Sequence, residues 1–240
     1  MEALTINSVG FGLFIGSGKA EKLLTPQGAA HAYVLGNILW YALGWRGWTT
    51  CVLYLLAGSA VTKVKMAEKT ARGIAEGRGG RRGPENVWGS AATGAACALA
   101  CVVWPQRAAL LRVGYAASLA TKLGDTFASE IGKAYGRTTY LITTLRPVPA
   151  GTEGAVSLEG TAAGVGGSLI IAWYAAAIGL MPASAIGVCA VAAFVACNVE
   201  SVLGATTQGK TAWLTNEVIN FVNTTVGAAV GMALWALMLR

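Results

Sequence analysis

The chain has 240 residues, 55% of them hydrophobic and only 12% charged, with a mean hydropathy of +0.56 and a net charge of +7. Soluble domains carry about 25% charged residues, so a water-facing surface cannot be covered from this supply. The 32 glycines, about 13% against a usual ~7%, suit closely packed membrane helices. Disordered and disulfide-scaffold classes are excluded, and nucleic acid is no expected partner, because the basic residues sit in loops between apolar runs.

A spanning helix needs about 20 mostly apolar residues. The sequence predicts an all-α, polytopic transmembrane helical bundle with about eight spans, near 3–20, 27–44, 48–65, 86–104, 107–127, 160–180, 182–205 and 215–239. Seven is the smaller count, because Asn7, Ser8 and several glycines dilute the first segment. No boundary or fixed-period repeat divides the chain, so residues 1–240 read as one integral membrane domain with loops at 66–85 and 128–159. No cleavable leader is expected, since no charged stretch precedes the opening apolar run. Eight spans place 14 of the 18 Lys and Arg residues on one face and only Arg46, Arg107, Arg112 and Arg240 on the other. The positive-inside rule makes the first face cytoplasmic, with both termini outside. Ten of the eleven carboxylates, all but Glu2, fall on or near that same face, which is how a cytoplasmic active face would look in a bacterial inner or thylakoid membrane.

Five stretches carry candidate chemistry. The basic loop offers Lys65, Lys69, Arg81 and Arg82, followed by Asn86 at the start of the fourth span. Such groups clamp phosphates, or serve topology and contact with anionic membrane lipids. In KLGDTFASEIGKAYG, a continuing helix puts Thr121, Asp125 and Ser129 on one face, with Lys122 alongside and Glu130 about 140° from Asp125. Hard oxygen ligands at a helix end suit Mg²⁺; a solvated terminus paired with Lys122 and Lys133 is the plainer alternative. In RPVPAGTEGAVSLEGT, Gly151, Thr152, Gly154 and Ser157 permit backbone N–H groups to converge on an anion, and Glu153 or Glu159 to hold metal, although a simple turn explains the same residues. NVESVLGATTQ sets Glu200, Gly204 and Gln208 along one face, and TNEVINFVNTT does the same for Glu217, Asn220 and Thr224, with Asn216 and Asn223 nearby. Carboxylates within a membrane are costly and point to function, with interhelical hydrogen bonding as the competing explanation.

Other features read as structural. Cys51, Cys97, Cys101, Cys189 and Cys197 lie in apolar segments without CxxC spacing, and His31 belongs to no metal-ligand cluster. The pairs Gly160/Gly164 and Gly227/Gly231 have the spacing of close helix contacts. GSGKA at 16–20 lacks the Walker pattern.

Taken together and in order, GIAEGRGGRRGPENVWGSA, KLGDTFASEIG, RPVPAGTEGAVSLEGT, NVESVLGATTQ and LTNEVINFVNTTVGA resemble the DUF92/transmembrane protein 19 family of integral membrane proteins. The likeness is to its cyanobacterial and plastid type, in the branch that includes the phytyl-phosphate kinase of vitamin E synthesis. It covers roughly residues 60–235. The resemblance implies Mg²⁺-dependent transfer of the terminal phosphate of a nucleoside triphosphate to an isoprenyl monophosphate. The wider group of phytol and dolichol kinases favours CTP over ATP. It implies catalytic or metal roles for Asp125, Glu130, Glu153 and Glu200, with Glu217 as a further ligand, and Glu153 stands where the family often has Asp. The competing expectations are a transporter with a polar path around Glu200 and Glu217, and a neighbouring polyprenol kinase or cytidylyltransferase. A transporter would commonly show internal repeats and mid-membrane half-helices.

Overall fold

The computed structural model describes residues 2–18, 20–207 and 213–239. Helix α1 (Glu2–Gly16) is tethered to the next long helix by Asn7, which donates to the Tyr33 carbonyl at 3.1 Å and accepts from Trp48 Nε1 at 3.0 Å. A single turn, α2 (Ala20–Leu23), leads to α3 (Pro26–Thr62), whose start is set by Thr25 accepting from the Gly28 N–H at 3.0 Å and by Pro26 in the first turn. Gly44 adopts φ 64°, ψ −161° and breaks α3 into two helical arms, which coincide with the second and third predicted spans.

The chain continues through α4 (Met66–Ala71), a 3₁₀ turn at Gly77–Gly80, α5 (Pro84–Val103), α6 (Ala108–Tyr135), α7 (Leu158–Ala177), α8 (Ile186–Thr207) and α9 (Asn216–Met238). The all-α expectation needs one small amendment. Within the loop after α6, β1 (Tyr140–Leu141) pairs antiparallel with β2 (Ala155–Val156), Tyr140 facing Val156. The expected loop 128–159 also begins later, because α6 stays helical to Tyr135 before Gly136 ends it.

Helix lies over each of the eight predicted segments, but among the described residues only four helices are long and apolar enough to cross a membrane: Pro84–Val103, Leu158–Ala177, Ala183–Thr207 and Asn216–Met238. The rest are short (α1), interrupted (α3) or carry several charges in their last half (α6).

Helix α6 is the axis of the bundle. Its first half is buried at Val113, Tyr115, Ala116, Ala117, Leu119 and Ala120, and small residues let the neighbours close on it. A Cβ on Gly164 would lie 3.1 Å from the Gly124 carbonyl oxygen and one on Gly160 2.7 Å from the Ala128 carbonyl oxygen, so α7 approaches α6 backbone to backbone. On the other side a Cβ on Gly227 would fall 2.0 Å from Thr121 Oγ1 and one on Gly231 2.7 Å from the Ala117 Cβ. Both glycine pairs are therefore helix contacts, as their spacing predicts. The five cysteines form no disulfide.

Connections are unequal. The links α5–α6 and α7–α8 are short, whereas residues 63–83 and 136–157 make long excursions. Alternation then brings the starts of α5, α7 and α9 and the last turns of α6 and α8 to the same end, beside Thr62 at the end of α3.

Candidate active site

At this end a cavity of about 310 Å³ opens between α5, α6, α7, α8, α9 and the two long excursions. Its inner wall is a network centred on Lys122. The Lys122 ammonium donates to Asp125 Oδ2 at 2.5 Å and to Asn220 Oδ1 at 2.6 Å, joining α6 to α9. Asp125 lies within hydrogen-bonding reach of Glu200 on α8, and Glu200 accepts from Asn223 Nδ2. Three helices thus contribute to one knot of two carboxylates, one ammonium and two amides. Two carboxylates in contact repel unless a proton or a cation lies with them; Lys122 donates to Asp125 directly, and Lys133 acts on Asp125 from farther away.

The cavity is also a meeting of helix N-termini. Asn86 and Ser90 come from the start of α5, Ser157, Gly160 and Thr161 from the start of α7, and Asn216 from that of α9. Each such end carries free N–H groups and partial positive charge, which favours anions. Arg81 and Arg82 add cations from the first excursion, Lys133 from α6. Arg82 is fixed by main-chain pairing, its N–H to the Leu23 carbonyl at 2.9 Å and its carbonyl from the Thr25 N–H at 3.1 Å, while its guanidinium lies 5.5 Å from the Tyr54 ring centroid.

The glycine loop is shaped by close approach. Gly154 has φ 74° and a Cβ there would sit 2.5 Å from the Ser201 carbonyl oxygen, so only glycine lets this loop lie on α8. Gly151, at φ 91°, meets Ile74 of the other excursion in the same way. Ser157 caps α7 by accepting from the Gly160 N–H at 3.0 Å, and Thr152 donates to the Pro149 carbonyl at 2.7 Å, which makes both hydroxyls supports of the loop as well as lining groups. Glu153 stands at the cavity rim. Partial burial pushes its carboxyl above the usual range; Lys133 opposes this and the charge of Asp125 adds to it.

Most of the residues singled out from sequence line this one cavity: Arg82, Asn86, Lys122, Asp125, Ser129, Glu130, Gly151, Thr152, Glu153, Gly154, Ser157, Glu200, Asn216 and Asn220. Others do not. Thr121 is fully buried in the α6–α9 contact, because it faces Gly227 and not the cavity. Lys65 pairs with Glu68 at 3.2 Å and lies over the Tyr135 ring at 4.6 Å, on the outer side of α6. Lys69 has no exposure: it is ion-paired with Glu130 and donates to the Thr62 carbonyl at 2.8 Å, locking α4 onto α6. Gln208 lies outside the described residues.

The expected five-carboxylate metal set is likewise not assembled. Among the described residues no three His, Cys, Asp or Glu side chains gather as ligands. Glu130 is held by Lys69 and by Lys133 at 3.6 Å, about 140° round the helix from Asp125. Glu217 accepts from Asn86 Nδ2 at 3.3 Å. What remains is the pair Asp125 and Glu200, with Glu153 at the rim of the same cavity, where its charge is felt by both. Sequence reasoning missed Ser90 and Thr126, which also line the wall; each lies one helical turn after a chosen residue, Asn86 and Lys122, and that spacing was the available signal.

Comparison with known proteins accords with this architecture. The family of integral membrane proteins designated DUF92 matches residues 10–228. An uncharacterized membrane protein of the cyanobacterium Synechocystis sp. is 54% identical over 98% of this chain and 91% of its own length. The chloroplastic protein VTE6 of Arabidopsis thaliana is 43% identical over 90% of this chain and 67% of its own. A membrane protein of Methanocaldococcus jannaschii is 29% identical over 90% of this chain and 88% of its own. No solved structure matches. With a chain-long match and relatives this similar, the chain belongs to the DUF92 family of integral membrane proteins.

Proposed function

We propose that the protein is a kinase of isoprenyl monophosphates, transferring the terminal phosphoryl group of a nucleoside triphosphate, CTP first among them, to phytyl phosphate or a close analogue to give the diphosphate. The carrying observation is the convergence on one cavity of the Asp125–Glu200 pair, the cations Lys122, Arg82 and Lys133, and the starts of α5, α7 and α9. The similarity to VTE6 and the family resemblance favour this class. The basic end faces the cytoplasm in this proposal, on the positive-inside argument.

The donor set fits Mg²⁺ bound jointly with substrate. That ion takes one or two carboxylates and completes its shell with phosphates and water, and two adjacent carboxylates are what Asp125 and Glu200 present. When bound there it neutralises charge on the transferring phosphates. The remaining work is positioning. Lys122, held between Asp125 and Asn220, presents a fixed ammonium. Arg82 and the helix starts bind phosphate oxygens, and the glycine loop lets main-chain N–H groups come close. An acceptor phosphate oxygen attacks the terminal phosphorus as its bond to the bridging oxygen of the nucleotide breaks. The acceptor is already ionised, so charge balances between reactants and products and no strong general base is required.

The test is incubation of purified protein with phytyl phosphate, Mg²⁺ and each nucleoside triphosphate in turn, with the lipid product identified by mass. Phytyl diphosphate formed with CTP supports the proposal. Phosphorylation only of free polyprenol, or formation of a cytidylylated lipid, would replace it with one of the neighbouring activities.

A further inference from the structure

Between α7 and α8 lies a second cavity, of about 60 Å³, walled by Val165 and Ser168 on one helix and Ala193, Phe194 and Asn198 on the other. It is continuous in its lining with the main cavity: Ala128, Thr161, Cys197 and Ser201 belong to both. The wall residues recur at helical spacing, Thr161, Gly164/Val165 and Ser168 on α7 and Phe194, Cys197/Asn198 and Ser201 on α8. They therefore form a stripe about 10 Å long at 1.5 Å per residue. The stripe runs from the polar cavity into the apolar middle of two candidate spans, where Val165 and Phe194 are 38% and 48% exposed on the outer surface. Small residues keep it open, and no charged side chain lines it.

We infer that this groove takes the part of the lipid substrate's hydrocarbon tail next to the head group, leading the tail from the bilayer to the phosphate-binding cavity and favouring tails long enough to fill it. The inference rests on the proposed reading of the main cavity for the identity of the head group. A phosphate on an apolar chain needs its charge in the cavity and its tail in lipid. The α7–α8 groove is an apolar recess that shares walls with that cavity. Tail contact fixes where the head group can lie, so Val165 and Phe194 act as specificity residues without touching the reacting phosphates.

The test combines mapping with kinetics. The intact protein in bilayer nanodiscs is photolabelled with a C20 prenyl monophosphate bearing a diazirine midway along its tail, and labelled peptides are identified by mass. Labels concentrated on 161–168 and 193–201, displaced by unlabelled prenyl phosphate, are expected. Labels spread over the outer helices, or not displaced, mean ordinary lipid contact and overturn the groove. In turnover, Val165→Trp, which fills the groove, is expected to raise KM for the C20 phosphate about tenfold, the worth of one to two lost methylene contacts, and to leave a C5 prenyl phosphate within about twofold. An equal effect on both lengths overturns the tail assignment. Groove labelling by a protein that phosphorylates neither substrate would retain the tail site and refute the kinase reading, so the two proposals fail separately.

Discussion

The two ends of the bundle solve the same packing problem with different residues. At the end with short links, the first half of α6 is buried among alanines, Leu119 and Tyr115, and its one buried phenol donates to the Gly47 carbonyl at 2.6 Å. At the other end the same helix presents Lys122, Asp125, Glu130 and Lys133; Lys122–Asp125 and Lys133–Glu130 pair along the helix, while Lys122–Asn220 and Lys69–Glu130 tie it to α9 and α4. The first end is arranged for density. The second holds charge at the base of apolar helices, which is expensive and persists where groups are paired or used. Substitutions in the Lys122 network at the charged end should therefore cost function before fold, and those at the dense end fold before function.

The largest effect should follow Asp125→Asn, which keeps shape and hydrogen-bonding capacity but removes the charge beside Glu200. Transfer is expected to fall on the order of 10³-fold in kcat with normal membrane insertion; substantial activity in the inserted protein would remove Asp125 from the chemistry. Next is Lys69→Met. It leaves Glu130 buried with only the more distant Lys133, and removing one partner of a buried pair costs about 3–5 kcal/mol. The expected readout is a large drop in unfolding temperature in detergent, with turnover per folded molecule less affected than in Asp125→Asn. Glu200→Gln should lower kcat by about 10–100-fold with little thermal change, since Asn223 retains an acceptor. At the dense end Gly231→Ala, whose new methyl meets Ala117 at 2.7 Å, is expected to cost about 1–3 kcal/mol and leave KM unchanged. If that variant altered KM selectively, the contrast between the ends would not hold.

The smallest expected effect is pH-dependent. Because the folded protein holds the Glu153 carboxyl above its ordinary value, the native state binds a proton there more readily than the unfolded chain. Stability is then lost as pH rises from about 4.3 through the raised value. Glu153→Gln should remove that loss, making the variant slightly more stable near neutrality and indistinguishable below about pH 4; unfolding temperatures across pH 4–8 measure it.

Much of this was legible in the sequence because membrane helices write their length and their small-residue contacts directly into composition. The stripe through Asp125 and Ser129 follows from one helical period, and the pairs Gly160/Gly164 and Gly227/Gly231 from another. What sequence did not carry was partner choice. Lys69 and Glu130 are 61 residues apart, and nothing local says that their charges cancel in the interior and not at a ligand. Thr121 sits one turn from Asp125, yet Gly227 determines that it is packed away. Spacing could place residues on a face, but which neighbouring helix that face would meet depended on the whole bundle.

The most direct measurement is transfer of label from γ-³²P-CTP to phytyl phosphate by the purified wild-type protein and the Asp125→Asn variant side by side, with Mg²⁺ and with chelator. Labelled phytyl diphosphate is expected from the wild type alone and only with Mg²⁺. Equal labelling by both proteins, or none from the wild type with any nucleoside triphosphate, would contradict the kinase reading.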